Sequence, residues 1–143
     1  MTPQRVTLIT LGVEDLDRAK AFYAALGWVP TREIAGEVVF YQINGMALGF
    51  FGKSALAADQ GRPDATLGTG AITLAQNFET EAEVNAAYEL AISAGAEGLK
   101  KPEKVFWGGY SGYYADPDGH VWEVAQNPFW SLNDDGSLTL PTS

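Results

Sequence analysis

Gly108-Gly109-Tyr110-Ser111-Gly112-Tyr113-Tyr114-Ala115-Asp116-Pro117-Asp118-Gly119-His120-Val121-Trp122-Glu123-Val124 is the stretch on which the reading of the fold turns. Residues 109–115 are rich in aromatic side chains and read as a strand. Asp116-Pro117-Asp118-Gly119 reads as a turn, because proline presets φ and glycine frees it. Residues 120–126 then close a hairpin as the last strand. The same plan stands earlier in the chain, where Tyr41…Gly45 answers Tyr114…Gly119. Asn44-Gly45 is the turn there, since both residues tolerate positive φ, and residues 46–51 return as a strand.

Upstream of each hairpin the order of elements repeats as well. Ile9-Thr10-Leu11 recurs as Ile72-Thr73-Leu74, and residues 6–11 and 71–74 read as strands. Asp15 offers a carboxylate to the free N–H groups of a helix start. Leu16, Ala19, Phe22, Tyr23 and Leu26 follow at helical spacing, and Gly27 supplies the stop. In the second half Thr80 and Glu83 have the spacing of a capping box. Val84, Ala87, Tyr88, Ala91 and Ile92 form one helical face, ended by Gly95. Residues 28–34 and 37–43 complete the first half as strands. Residues 97–108 are expected to be loop-rich. The chain thus divides into a first unit (5–52), a linker with a short helix (53–68), a second unit (69–128) and a C-terminal tail (129–143) expected to fray at its end, all in one domain.

Bulk properties exclude several classes of function. The 143 residues carry no cysteine, which rules out disulfides, thiolate metal sites and cysteine nucleophiles. A cysteine-free chain is compatible with the cytoplasm, the expected location. The formal net charge of −9 repels phosphate backbones and anionic lipid, so neither nucleic acid nor membrane is expected as a partner. The apolar run from Val6 to Val13 reads as a strand and not as a signal segment, because it is short and runs straight into Glu14 and Asp15.

Gly12-Val13-Glu14-Asp15-Leu16, Phe22-Tyr23, Leu26-Gly27-Trp28 and the hairpin from Gly108 to Val124 together resemble the vicinal-oxygen-chelate superfamily. This superfamily includes glyoxalase I, bleomycin-resistance and fosfomycin-resistance proteins, and extradiol dioxygenases. The resemblance runs to about Pro128. It implies an α+β fold of two βαβββ modules forming a cupped eight-stranded mixed sheet, and members commonly pair as homodimers. In metal-using members one divalent ion is held in the cup by side chains from the first and last strands of each module. Aligning the two halves on their repeated anchors places those positions at Leu8, Gly49, Ala71 and Glu123.

Only Glu123 of these four can ligate a metal. A catalytic ion usually takes about three protein ligands. The expectation is therefore a member with no resident cofactor, at most a weakly held divalent metal. Small residues at 49 and 71 leave room for a mostly apolar small molecule, with Leu8, Thr10, Thr73 and the glycine-rich-loop residues Phe106, Trp107 and Tyr110 as further ligand-binding candidates. Glu123 alternates with Val121 and Ala125 on one strand face. A partly desolvated carboxylate there can act as a general base or receive a cationic or hydroxyl-bearing ligand; alternatively it is bonded to Thr10 or Thr73. The primary reading is a metal-independent small-molecule-binding protein. The alternative is a lyase, isomerase or dioxygenase-like enzyme using Glu123 as catalytic base or with a weak metal.

Other motifs carry less. Gly52-Lys53-Ser54 resembles the end of a phosphate-binding loop, but Ala47 stands where that motif needs glycine. Asp116 and Asp118 lack the remaining ligands of a calcium loop and are assigned to the turn. His120, the single histidine, falls at the hairpin corner and out of phase with Glu123, which argues against a histidine-based triad.

Overall fold

The computed structural model describes residues 1–142. The chain falls into two compact units, one from Met1 to Gly68 and one from Thr69 onward. The first holds β1 (Leu8–Val13), α1 (Leu16–Ala25), β2 (Arg32–Ile34), β3 (Val38–Ile43), β4 (Met46–Gly52) and α2 (Lys53–Asp59). The second holds β5 (Thr73–Asn77), α3 (Glu81–Ser93), β6 (Glu97–Lys104), β7 (Tyr110–Ala115) and β8 (Val121–Gln126). Each unit is a βαβββ module with one four-stranded mixed sheet, ordered β1-β4-β3-β2 and β5-β8-β7-β6. In both, the first strand runs parallel to the last and the remaining pairs are antiparallel. The expected eight strands of an α+β fold are thus present, four to each sheet.

The helix starts follow from local chemistry. Asp15 Oδ1 accepts the Arg18 N–H at 3.1 Å. Thr80 Oγ1 accepts the Glu83 N–H at 3.1 Å, and its hydroxyl donates to Glu83 Oε1 at 3.0 Å. Each cap satisfies one of the N–H groups that a helix leaves open at its start. Gly27 and Gly95 lie just past the two helix ends at φ 93° and 112°, the left-handed region where a β-carbon is penalised.

In the first unit the core is an aromatic cluster between α1 and its sheet. Tyr23 is fully buried, stacks on Phe50 at 4.6 Å between ring centroids, and meets Phe22, Trp28 and Tyr41 at 4.9, 5.5 and 6.3 Å. Such ring pairs add attraction beyond the area they bury. In the second unit α3 lays Val84 and Ala91 on the side of the sheet that buries Tyr114, Trp122 and Val124.

Several expected bounds move. β1 begins at Leu8 and not at residue 6, β5 spans Thr73–Asn77 and not 71–74, and only Arg32–Ile34 of the expected 28–34 strand pairs. The largest correction is at 97–108, where the expected loop is mostly the eight-residue strand β6. Glu97-Gly-Leu-Lys-Lys-Pro-Glu-Lys104 has no apolar alternation, because it is an edge strand with almost no buried residue. Edge strands tolerate proline and are guarded by lysine, so the features that signal a loop are also those of a protected edge. The register shifts twice along it, between Gly98 and Lys100 and again before Glu103. Within the tail, Leu132 pairs with Leu138, and the Asn133 amide donates to Ser137 Oγ and Thr139 Oγ1. Part of the tail is therefore a small closed turn.

Candidate functional site

Residues directly opposite one another on paired strands share a face of the sheet. In the first sheet Thr10 lies opposite Gly49, and Gly49 opposite Phe40; Leu8 lies opposite Ala47. These occupy the face turned away from α1, because Tyr41, Leu48 and Phe50 are buried on the other. Leu8 is exposed and Thr10 half-buried. Gly49 does not leave open room. A β-carbon at this position would lie 3.0 Å from two ring atoms of Phe40 and 3.7 Å from the end of Leu8. The phenyl ring covers the place where a side chain at 49 would stand.

Glu123 sits on β8, a central strand of the second sheet, opposite Ala75 on β5 and Tyr113 on β7. Trp122, Val124 and Tyr114 take the face toward α3, so Glu123 lies on the other, with Thr73, Val121 and Ser111. The side chain is half-buried. Its partner is Tyr113, whose hydroxyl donates to the Glu123 carboxylate. Burial holds the Tyr113 phenol above its ordinary value of 10.0, and the neighbouring Glu123 charge and the hydrogen bond push it further up.

The pairing corrects the repeat register. Gly49 is joined to Thr10 on the first strand, whereas Glu123 is joined to Ala75. Stepping back two residues on each first strand makes Thr73, not Ala71, the counterpart of Leu8. The two helix caps agree, since Asp15 and Thr80 are separated by the same interval as Leu8 and Thr73. Matching Ile9-Thr10-Leu11 to Ile72-Thr73-Leu74 therefore slips the halves by two residues. An even slip keeps the face but moves the position along the strand. Ala71 lies ahead of β5, outside the sheet.

The loop candidates part company. Tyr110 donates its hydroxyl to Asn85 Oδ1 of α3 at 2.7 Å, so it faces the helix side, opposite Glu123. Val105 N bonds Gly109 O and Gly108 N bonds Val105 O, closing a tight turn with Phe106 and Trp107 at its tip. Phe106 is fully exposed; the Trp107 ring folds back over Gly109 in the space a β-carbon would need. His120 is buried in the β7–β8 turn, where its N–H donates to Asp116 Oδ1 at 2.9 Å. Asp116 Oδ1 also accepts from the Asp118 N–H, so this carboxylate serves the turn.

The residues present do not fit the divalent ion of the metal-using members. With the register corrected, the four positions carry Leu8, Gly49, Thr73 and Glu123. Leucine and glycine offer no donor, threonine only a neutral hydroxyl, and one carboxylate is already bonded to a phenol. No group of three or more His, Cys, Asp or Glu side chains suited to a metal occurs among the described residues. Two clefts in the first unit lie elsewhere. One, of about 110 Å³, is lined by Asp17, Lys20 and Glu33; the other, of about 260 Å³, by Lys53, Ser54 and Thr66. Neither includes a residue expected at the site. Phe40 and Tyr113 were not among those expected residues. Counting back across the two hairpin turns pairs 113 with 123 and 40 with 49, a signal that the sequence carries in both halves.

Comparison with known proteins bears on the same features. Residues 5–124 match the Glyoxalase/Bleomycin resistance protein/Dioxygenase superfamily. The chain is similar to a glyoxalase-related enzyme from Fulvimarina pelagi, with 39% identity, 98% of this chain and 100% of that chain covered, and a TM-score of 0.91. It shares its fold with lactoylglutathione lyase from Agrobacterium tumefaciens, at 24% identity, coverage of 92% and 100%, and a TM-score of 0.69. A glyoxalase/bleomycin resistance protein/dioxygenase family enzyme from Burkholderia phytofirmans matches at 21% identity, coverage of 84% and 96%, and a TM-score of 0.72. No curated protein matches the chain. No helix among the described residues is long and apolar enough to cross a membrane.

Proposed function

The chain belongs to the Glyoxalase/Bleomycin resistance protein/Dioxygenase superfamily, and from that premise we propose that it binds a small, mostly apolar molecule without a metal, on the sheet face that carries Glu123. The observation behind this reading is the donor set. Three of the four positions that hold the ion in metal-using members are Leu8, Gly49 and Thr73, and Glu123 alone offers a charge. Around Glu123 the face offers Ala75, Val121 and Ala125, apolar and small or medium in size. Apolar walls with a few polar groups are the usual make-up of small-molecule sites.

A cytoplasmic location and a homodimer belong to the same reading, the latter checked by light scattering on the purified chain. The central test has two arms. Calorimetry on chelator-stripped protein with Mn²⁺, Ni²⁺ and Zn²⁺ should give no binding tighter than roughly millimolar, equivalent to about 4 kcal/mol. A library of small apolar compounds should raise the melting temperature, because a ligand at a hundred times its Kd stabilises the native state by about 2.7 kcal/mol. Tight stoichiometric metal binding that is lost in Glu123→Ala would overturn the metal-independent reading. A library that leaves the melting temperature unmoved would overturn the ligand-binding one.

A further inference from the structure

The middle of the second sheet holds a charge without a counter-charge. β5, β7 and β8 contain no Lys, Arg or His. Lys100, across from Tyr113 on the edge strand β6, is 3.3 Å from Glu103, and Lys104 is 2.6 Å from Glu81. Lys101 is exposed on the same edge strand. His120 is buried in the turn beyond the end of β8. Glu123 forms no ion pair among the described residues. The neutral Tyr113 hydroxyl bonds it from across on β7, and its neighbours along β8 and across on β5 are Val121, Ala125 and Ala75.

We propose that Glu123 and Tyr113 form the recognition point for an organic cation, a protonated amine carried on a compact apolar body. This rests on the ligand-binding reading above and names the chemistry of the ligand. A half-buried carboxylate with no cation beside it gains more from a charged donor than from a neutral one. The Tyr113 hydroxyl contributes a hydrogen bond but no charge. An ammonium supplies both, with up to three donors and a charge-assisted bond. Ala75, directly across on β5, is exposed and ends at the β-carbon, which leaves headroom beside the carboxylate for the apolar body. The chain's net charge of −9 draws cations toward the surface and repels anionic ligands.

The test uses matched pairs of primary amines and alcohols on phenyl, cyclohexyl and naphthyl bodies, equal in shape and differing in charge. Each is titrated by NMR into the wild-type chain, Glu123→Gln and Tyr113→Phe. The amine of the best-binding pair should bind wild type about tenfold or more tightly than its alcohol. The preference should vanish in Glu123→Gln and persist in Tyr113→Phe, which retains the charge. Equal binding of amine and alcohol overturns the cation inference and leaves an apolar-ligand site standing. A preference that survives in Glu123→Gln overturns Glu123 as its source. Absence of saturable binding by every pair overturns the cation inference and counts against the underlying reading as well.

Discussion

Tyr113 and Glu123 stand directly opposite each other on β7 and β8, and the hydroxyl of the first donates to the carboxylate of the second. The pairing joins the one charged residue at the family's metal positions to a side chain that the family pattern does not mark. It also ties a titration to a geometry. The Tyr113 phenol is held above 10.0 first by burial and then by the Glu123 charge and bond.

Removing that charge should move the titration. In Glu123→Gln the Tyr113 phenol is expected to ionise at lower pH than in wild type, while staying above 10.0 because burial remains. The sign for stability follows. A tyrosine whose proton is held more tightly in the folded state contributes stability below its unfolded value of 10.0, and that contribution is lost as pH rises through the higher folded value. Carbon-13 NMR of labelled tyrosine rings, assigned through Tyr113→Phe, reads the shift; identical titration in both backgrounds would contradict the pairing.

Gly49→Ala should destabilise the first unit. The new β-carbon would meet the Phe40 ring at 3.0 Å, so the ring or the strand must give way. Overpacking of this kind costs about 1–3 kcal/mol. Adding Phe40→Leu should recover much of the loss, and a double-mutant cycle by denaturant unfolding measures the coupling. Gly112→Ala should be harder to rescue, because its β-carbon would meet the backbone of Lys100 and Pro102 at 2.8 Å and not a side chain that can turn aside.

Tyr41→Phe is expected to stabilise the protein or leave it unchanged. Tyr41 is buried, its hydroxyl has no hydrogen-bond partner among the described residues, and its ring packs on Trp28 and Phe50 at 5.7 Å. An unsatisfied buried hydroxyl costs about 1–3 kcal/mol, so its removal should not lower the melting temperature. Tyr23→Ala, by contrast, removes the ring at the centre of the same cluster and should cost about 3–5 kcal/mol.

Thr80→Ala should weaken the start of α3. It deletes the acceptor for the Glu83 N–H and the donor to the Glu83 carboxylate. Loss of an N-cap costs about 1 kcal/mol. Hydrogen exchange should quicken at the first turn of α3 and stay unchanged at Ala91, which is fully buried in the last turns of the helix, far from the cap.

Legibility differed with the range of the interaction. Asp15, Thr80, Gly27 and Gly95 announce the helix ends because a cap or a left-handed residue acts within four positions of itself. The repeated hairpins made the βαβββ plan readable for the same reason. β6 was not readable, because an exposed edge strand has no buried face to impose alternation on its sequence. Ala71 was misplaced because three identical residues outweighed the caps, although the caps carry the correct interval. Phe106, Trp107 and Tyr110 share one glycine-rich stretch that reads as a loop, yet Tyr110 bonds Asn85 on the helix side while Phe106 is exposed to solvent.

By itself the sequence determined which side chains are available: no cysteine, one histidine, and a single acidic side chain at the family's metal positions. No folding event can change the side chain at a given position, so the poverty of donors at these four positions is a property of the sequence. Tertiary structure decided what surrounds that side chain. Strand pairing brought Tyr113 to Glu123, moved the counterpart of Leu8 from Ala71 to Thr73, and laid Phe40 across Gly49. Within a hairpin the turn already sets which residues face each other, but which side chains then touch depends on their packing, and the parallel pairs β1–β4 and β5–β8 join strands far apart in sequence, so their register is fixed only by hydrogen bonding along the assembled ladder.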